Sequence, residues 1–154
     1  MDIELQVSTD TVEQAGVVEP LVVEPGTAIR DVLRLMRAYL SGSVLICRDG
    51  KLLGIFTERD ALRLMARGGS MDAAIETVMI ERPVTIRPGA SISHAILRMS
   101  SGGYRRLPIV DSSGCAVGII QVSGIIHYLA ELFPNTIYNL HPAAEPVTHE
   151  REGP

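Results

Sequence analysis

Apolar residues along the chain alternate between a helical and an extended rhythm, and the alternation occurs twice. After Pro20-Leu21-Val22-Val23-Glu24-Pro25-Gly26, apolar side chains fall at Ile29, Val32, Leu33, Met36 and Leu40, the spacing of one helix face. The leading segment reads as a short strand stopped by Pro-Gly. Thr27 stands where the helix would take its N-cap. Continuous apolar runs follow at Val44-Leu45-Ile46-Cys47 and from Leu52 to Phe56. Between them lies Arg48-Asp49-Gly50-Lys51, and Asp-Gly between strand-like runs predicts a hairpin. A second helix is expected from Thr57 to about Arg67.

The same order of signals returns 63 residues later, where Pro83-Val84-Thr85-Ile86-Arg87-Pro88-Gly89 matches the segment beginning at Pro20. Ile92, Ala95, Ile96 and Met99 continue the helical phase. Leu107 to Val110, a turn at Asp111-Ser112-Ser113-Gly114, and Ala116 to Ile120 repeat the hairpin, with a one-residue insertion. A last helix is expected from Ser123 to about Phe133. An internal period of this length organises the whole chain.

Each copy reads as a βαββα unit of roughly 50 residues, too small for a self-sufficient core, so the two must pack together. The expected organisation is a first repeat at 12–68, a linking helix at 69–79 and a second repeat at 80–138. A tail at 139–154 follows, whose composition cannot bury much apolar area and which is expected to be mobile. The fold class is α/β (α+β), a tandem pair of βαββα repeats.

Composition narrows the function classes. Hydrophobic residues make up 46% of the 154, enough for a real core, and mean hydropathy is +0.22. The net charge of -4 arises from Arg and Lys scattered among Asp and Glu, which leaves no basic stripe for nucleic acid. The first eleven residues are acidic and polar, and no apolar run approaches a bilayer span, so neither signal peptide nor membrane anchor is expected and the protein reads as cytoplasmic. Cys47 and Cys115 lie in no CxxC or Cys/His cluster, against a disulfide framework or zinc site. His94 and His127 read as surface or capping residues, and His141 and His149 fall in the tail. No serine sits in a nucleophile elbow, and no catalytic residue or metal site is expected.

On these residues the chain resembles a CBS-domain pair, the Bateman module. The resemblance spans about Val12 to Tyr138 and is most specific at Gly54-Ile55-Phe56-Thr57-Glu58-Arg59-Asp60 and Arg105-Arg106-Leu107-Pro108-Ile109-Val110-Asp111. It implies two repeats related by a pseudo-twofold axis, with central strands face to face and two clefts between them. Members of the family commonly bind AMP, ADP, ATP, S-adenosylmethionine or NAD-type ligands there and commonly dimerise through their helices.

The family pattern places a ribose-binding carboxylate and a neighbouring hydroxyl at Asp60 and Thr57, with Gly54 allowing close backbone approach. Thr57 and Asp60 also read as an N-capping pair, and a helix N-terminus can serve both purposes. The second copy has Gln121 and Gly124 at the same positions. Phosphate recognition is implied for Arg105 and Arg106, where the first copy has Ser41-Gly42-Ser43. Adenine is implied near Pro20, Leu21 and Val22, with Pro108 or Ile109 nearby.

The resemblance thus implies a non-catalytic sensor with one equipped cleft. Its ligand would be AMP, ADP or ATP ahead of S-adenosylmethionine or NAD(H), with no cofactor or metal required, and its partners a second copy in a homodimer and a regulated protein of unknown identity. Apolar residues at Leu62, Leu64, Met65, Ile125, Ile126 and Leu129 exceed one narrow stripe, which fits a dimer face or extra burial within the pair. The alternative is a ligand-free dimerisation or interaction module in which Thr57 and Asp60 only cap a helix.

Overall fold

In the computed structural model, which describes residues 2–133, Asp49 and Gly50 both adopt positive φ (52° and 81°). They close a two-residue turn between β2 (Ser43–Arg48) and β3 (Lys51–Thr57), the geometry that Asp-Gly favours in a hairpin. The short β1 (Val22–Val23) pairs parallel to β2, and β4 (Ile80–Glu81) pairs antiparallel to β3, giving a sheet of order β1-β2-β3-β4. Helices α2 (Ile29–Ala38) and α3 (Glu58–Arg67) belong to this first repeat. Ile29, Val32, Met36, Val44, Ile46, Phe56, Ala61 and Leu64 form its core.

The second repeat reproduces this plan with α4 (Ile92–Gly102), β5 (Arg106–Val110), β6 (Ala116–Gln121) and α5 (Val122–Glu131). Single bridges replace its short strands. Ile86 pairs parallel with Ile109 as Val23 pairs with Ile46, and Val18 pairs antiparallel with Ile119 as Ile80 pairs with Ile55. Between the sheets lie Leu45, Cys47, Ile55 and Ile119, and the hairpin tips are tied by Leu52 N–H to the Gly114 carbonyl (3.0 Å) and Ala116 N–H to the Gly50 carbonyl (3.3 Å).

Each core is completed by the segment leading into the other repeat. Val12 and Ala15, in a 3-10 turn ahead of the first repeat, are buried in the second core. Ile75, in the 3-10 turn Ile75–Thr77 ahead of the second repeat, is buried in the first. That three-residue turn is the helical part of the stretch expected to form a linking helix.

Two further local expectations change. The N-cap of α2 is Ala28 rather than Thr27, and Ala28 makes no side-chain cap; the N–H groups of Ile29 and Arg30 are taken by the carbonyls of Ala73 (3.0 Å) and Met71 (2.9 Å) instead. Leu40 does not extend the buried face. It follows the helix at φ 49° and is 93% exposed, where the second repeat has Gly103. The polar N-terminus contains α1 (Ile3–Thr9), capped by Asp2 and resting on α4. The tail at 139–154, with His141 and His149, lies outside the described residues, as do residues 134–138 of the expected second repeat. No helix among the described residues is long and apolar enough to cross a membrane.

The N-terminal segment is pinned to the second repeat by polar contacts. Tyr128 Oη donates to Asp10 Oδ2, which also accepts from Gln6 Nε2 (2.8 Å), and Gly89 N–H donates to Glu13 Oε1 (2.7 Å). The hydrogen bonds from Tyr128 and Gln6 hold the Asp10 carboxyl below its ordinary value of 3.8. Burial, and then the bond to Asp10, push the Tyr128 hydroxyl up to about 12. The lowered Asp10 contributes stability present above pH 3.8 and lost as pH falls through its folded value. The raised Tyr128 contributes stability present below pH 10 and lost as pH rises through about 12. Tyr128→Phe is therefore expected to lower the melting temperature at pH 7 and flatten both limbs of its pH dependence, measured by circular dichroism from pH 3 to 12. Limbs as steep as in the parent protein would show the contact to be inconsequential.

Candidate functional site

Residue Thr57 ends β3 in an extended conformation (φ -119°, ψ 169°) and caps α3. Its Oγ1 accepts from Asp60 N–H (3.4 Å), while Asp60 Oδ2 accepts from both Thr57 N–H (2.9 Å) and Thr57 Oγ1 (2.9 Å). This reciprocal box satisfies orphan N–H groups of the first turn, and the positive end of the helix dipole favours the carboxylate there. All the capping falls on one oxygen. Oδ1 of Asp60 accepts no hydrogen bond from the described residues, although the side chain is only 9% exposed.

Asp60 lines a cleft of about 510 Å³ whose other walls are Arg63, Ala66 and Arg67 of α3, together with Val78 and Ile80. Val78 and Ile80 flank the entry to β4, which comes close because Gly54 stands opposite. A Cβ at Gly54 would lie 2.5 Å from Met79 Sδ and 2.8 Å from the Ile80 carbonyl. The close backbone approach that Gly54 permits is thus the protein's own, by the strand that walls the cleft.

The other expected site residues are distributed differently. Arg106 crosses from the second repeat to the first, and its guanidinium lies over Gly42, with Glu58 beside it. A Cβ at Gly42 would meet Arg106 Nη2 at 2.2 Å and Glu58 Oε1 at 2.7 Å. Arg106 Nε is buried without a hydrogen-bond partner. Arg105 is exposed, with its carbonyl accepting from Val122 N–H (2.9 Å). Neither arginine is among the residues lining the Asp60 cleft. Pro20 and Leu21 are half-buried, Val22 is 46% exposed, and Pro108 is buried. Leu21 packs on the first core and Ile109 within the second.

Sequence reasoning missed Arg63 and Arg67. Their signal was present, because positions three and seven residues beyond Asp60 fall on the same face of a helix.

The corresponding surface of the second repeat is filled. Gly124 stands where Asp60 does, and a Cβ there would lie 2.4 Å from the carbonyl oxygen of Ala15, so the 3-10 turn of residues 12–15 closes directly onto α5. Gly118, the counterpart of Gly54, faces Val17 at 2.5 Å from its would-be Cβ. His127 and Glu131 replace Arg63 and Arg67 and pair with each other at 3.2 Å. Introducing a carboxylate by Gly124→Asp is therefore expected to destabilise the protein by about 1–3 kcal/mol, as overpacking does. Urea unfolding measures this, and an unchanged midpoint would mean that the Ala15 turn yields freely.

Comparison with known proteins agrees with this architecture. The family model described as CBS domain matches residues 12–67 and 75–131. The CBS domain-containing protein YhcV of Bacillus subtilis is 33% identical over 104 residues, covering 67% of this chain and 74% of that protein. The solved CBS domain pair of protein MJ0100, in complex with 5'-methylthioadenosine and S-adenosyl-L-methionine, superposes with a TM-score of 0.72 at 21% identity, over 78% of this chain and 99% of the other. CBSX2 in complex with AMP superposes with a TM-score of 0.69 at 23% identity, over 79% and 97%. With two family matches spanning most of its length, set on two βαββα repeats that complete each other's cores, the chain belongs to the CBS domain family as a tandem pair.

Proposed function

We propose that the chain is a regulatory, non-catalytic module that binds an adenosine-containing ligand, of the AMP, ADP or ATP class, in the Asp60 cleft and passes its occupancy to a partner protein. The observation that carries this reading is the division of labour within one carboxylate. Oδ2 of Asp60 is spent on the helix cap, while Oδ1 accepts no hydrogen bond from the described residues and Asp60 itself lines the cleft. Capping and ribose recognition therefore do not compete for the same lone pairs, since a carboxylate offers about four acceptor sites. Thr57 fixes the carboxylate's orientation, and Val78 and Ile80 supply an apolar wall suited to a base. Relatives of the same fold hold AMP in one case and S-adenosyl-L-methionine with 5'-methylthioadenosine in another.

Such a ligand acts on the partner only through different affinities for two arrangements of the repeats. Binding stabilises the folded state by about 2.7 kcal/mol at a hundredfold excess over Kd. AMP, ADP or ATP is expected to raise the melting temperature of the parent protein, and Asp60→Ala to abolish that rise. Thr57→Ala is expected to cost about 0.5–2 kcal/mol of stability through the lost cap. If the pair only caps the helix, none of these nucleotides will shift the melting temperature.

A homodimer through α3 and α5 forms part of the same proposal. Leu62 (65% exposed), Met65 (53%) and Ile126 (60%) present apolar side chains on the two helices, with Leu62 and Ile126 at equivalent positions of the repeats. Sedimentation equilibrium is expected to show a dimer that Leu62→Glu with Ile126→Glu converts to a folded monomer. A monomeric parent protein would remove this part.

A further inference from the structure

We propose that Arg63 and Arg67 hold the anionic part of the ligand, so that the Asp60 cleft selects phosphorylated adenosine compounds over uncharged adenosine and over the cationic sulfonium of S-adenosylmethionine. This rests on the reading of the cleft as an adenosine site and assigns its phosphate recognition to α3 instead of to Arg105 and Arg106.

The geometry points there directly. Arg63 and Arg67 stand one helical turn apart on the face that carries Asp60, and both line the same cleft. Among the described residues neither forms an ion pair or a side-chain hydrogen bond; the arginine ion pairs present are Arg30 with Asp72 and Arg34 with Asp31. Arg59 stands one turn earlier, so three like charges occupy successive turns. Such a row disfavours the empty helix, and a bound anion relieves the repulsion. Guanidinium groups remain charged at any relevant pH and grip phosphate oxygens with a fork of donors. Ala66, Val78 and Ile80 complete the lining of the cleft, which is open to solvent.

Comparison of the repeats separates this arrangement from ordinary helix surface charge. At the two equivalent positions of α5 the chain carries His127 and Glu131, 3.2 Å apart, and the backbone of Ala15 closes onto Gly124 in the first turn of that helix. Among the described residues, arginines without partners stand on the helix that carries Asp60, whereas the equivalent residues of α5 contact each other.

Isothermal titration of the full chain with adenosine, AMP, ADP, ATP and S-adenosylmethionine tests the proposal, using Arg63→Gln, Arg67→Gln, Arg106→Gln and Asp60→Ala, with Arg37→Gln on α2 as a control for general charge. Affinity is expected to rise from S-adenosylmethionine through adenosine to AMP. Each of Arg63→Gln and Arg67→Gln is expected to weaken AMP by about tenfold or more, the scale of a lost charge-assisted hydrogen bond, while leaving adenosine unchanged. The log-log salt slope for AMP should fall with each. A loss of AMP affinity with Arg106→Gln alone would overturn the assignment while leaving the adenosine site standing. Equal weakening of adenosine and AMP by the α3 variants, or a loss as large with Arg37→Gln, would also overturn it. Failure of every adenosine compound to bind the parent protein would instead overturn the reading of the site itself.

Discussion

Reciprocal exchange of short segments is the constraint on which the rest of the molecule depends. Ile75 enters the first core on its way to the second repeat, and Val12 with Ala15 enters the second core on the way to the first. Full burial of a side chain such as Ile75 or Val12 contributes about 1.5–3 kcal/mol, a large share of what a unit of this size can muster. Backbone pairing reinforces the exchange, since Val18 and Ile119 trade both hydrogen bonds (3.0 and 2.9 Å), and Ile75 N–H reaches the Thr27 carbonyl (2.8 Å). Neither repeat has a complete core without the chain that leads to its partner.

The same exchange creates the clefts, because the segment that completes a core then runs past the N-terminal end of that repeat's second helix. Whether a cleft stays open depends on what meets it there. In the first repeat, Val78 and Ile80 pass beside Asp60, and a cleft remains. In the second, the carbonyl of Ala15 rests on Gly124, where no side chain fits between them. One fold thus yields an open cleft beside Asp60 and a close backbone contact at Gly124, at pseudo-symmetric positions. On the proposed reading, such a chain responds to a ligand at one place while using the other as structure.

On the proposed reading of the open cleft, the division of the Asp60 carboxylate reconciles two demands. A helix N-terminus needs an acceptor for its N–H groups, and a ribose needs one for its hydroxyls. Oδ2 meets the first need through Thr57, and Oδ1 is left for the second. Arg106, reaching across to Gly42 and Glu58, contributes to the meeting of the repeats at the far side of the cap. Its buried Nε lacks a partner, so the junction there carries an unsatisfied donor.

The duplication, the order of elements in each copy, the Asp49-Gly50 hairpin and the Thr57–Asp60 cap were all legible in the sequence. Each rests on interactions between residues near one another in the chain, or on a periodicity that local geometry imposes. Asp60, Arg63 and Arg67 share a face by helix arithmetic alone. The sequence could not show that α2 would take its cap from the carbonyls of Met71 and Ala73, that Arg106 would turn toward Gly42, or that Leu21 and Ile109 would pack on separate cores. Nor could it show that Ala15 would close the second cleft. These are contacts between segments tens of residues apart, selected by how two incomplete cores fit together. Local pattern determined the two copies, and only their packing decided which one keeps an open cleft.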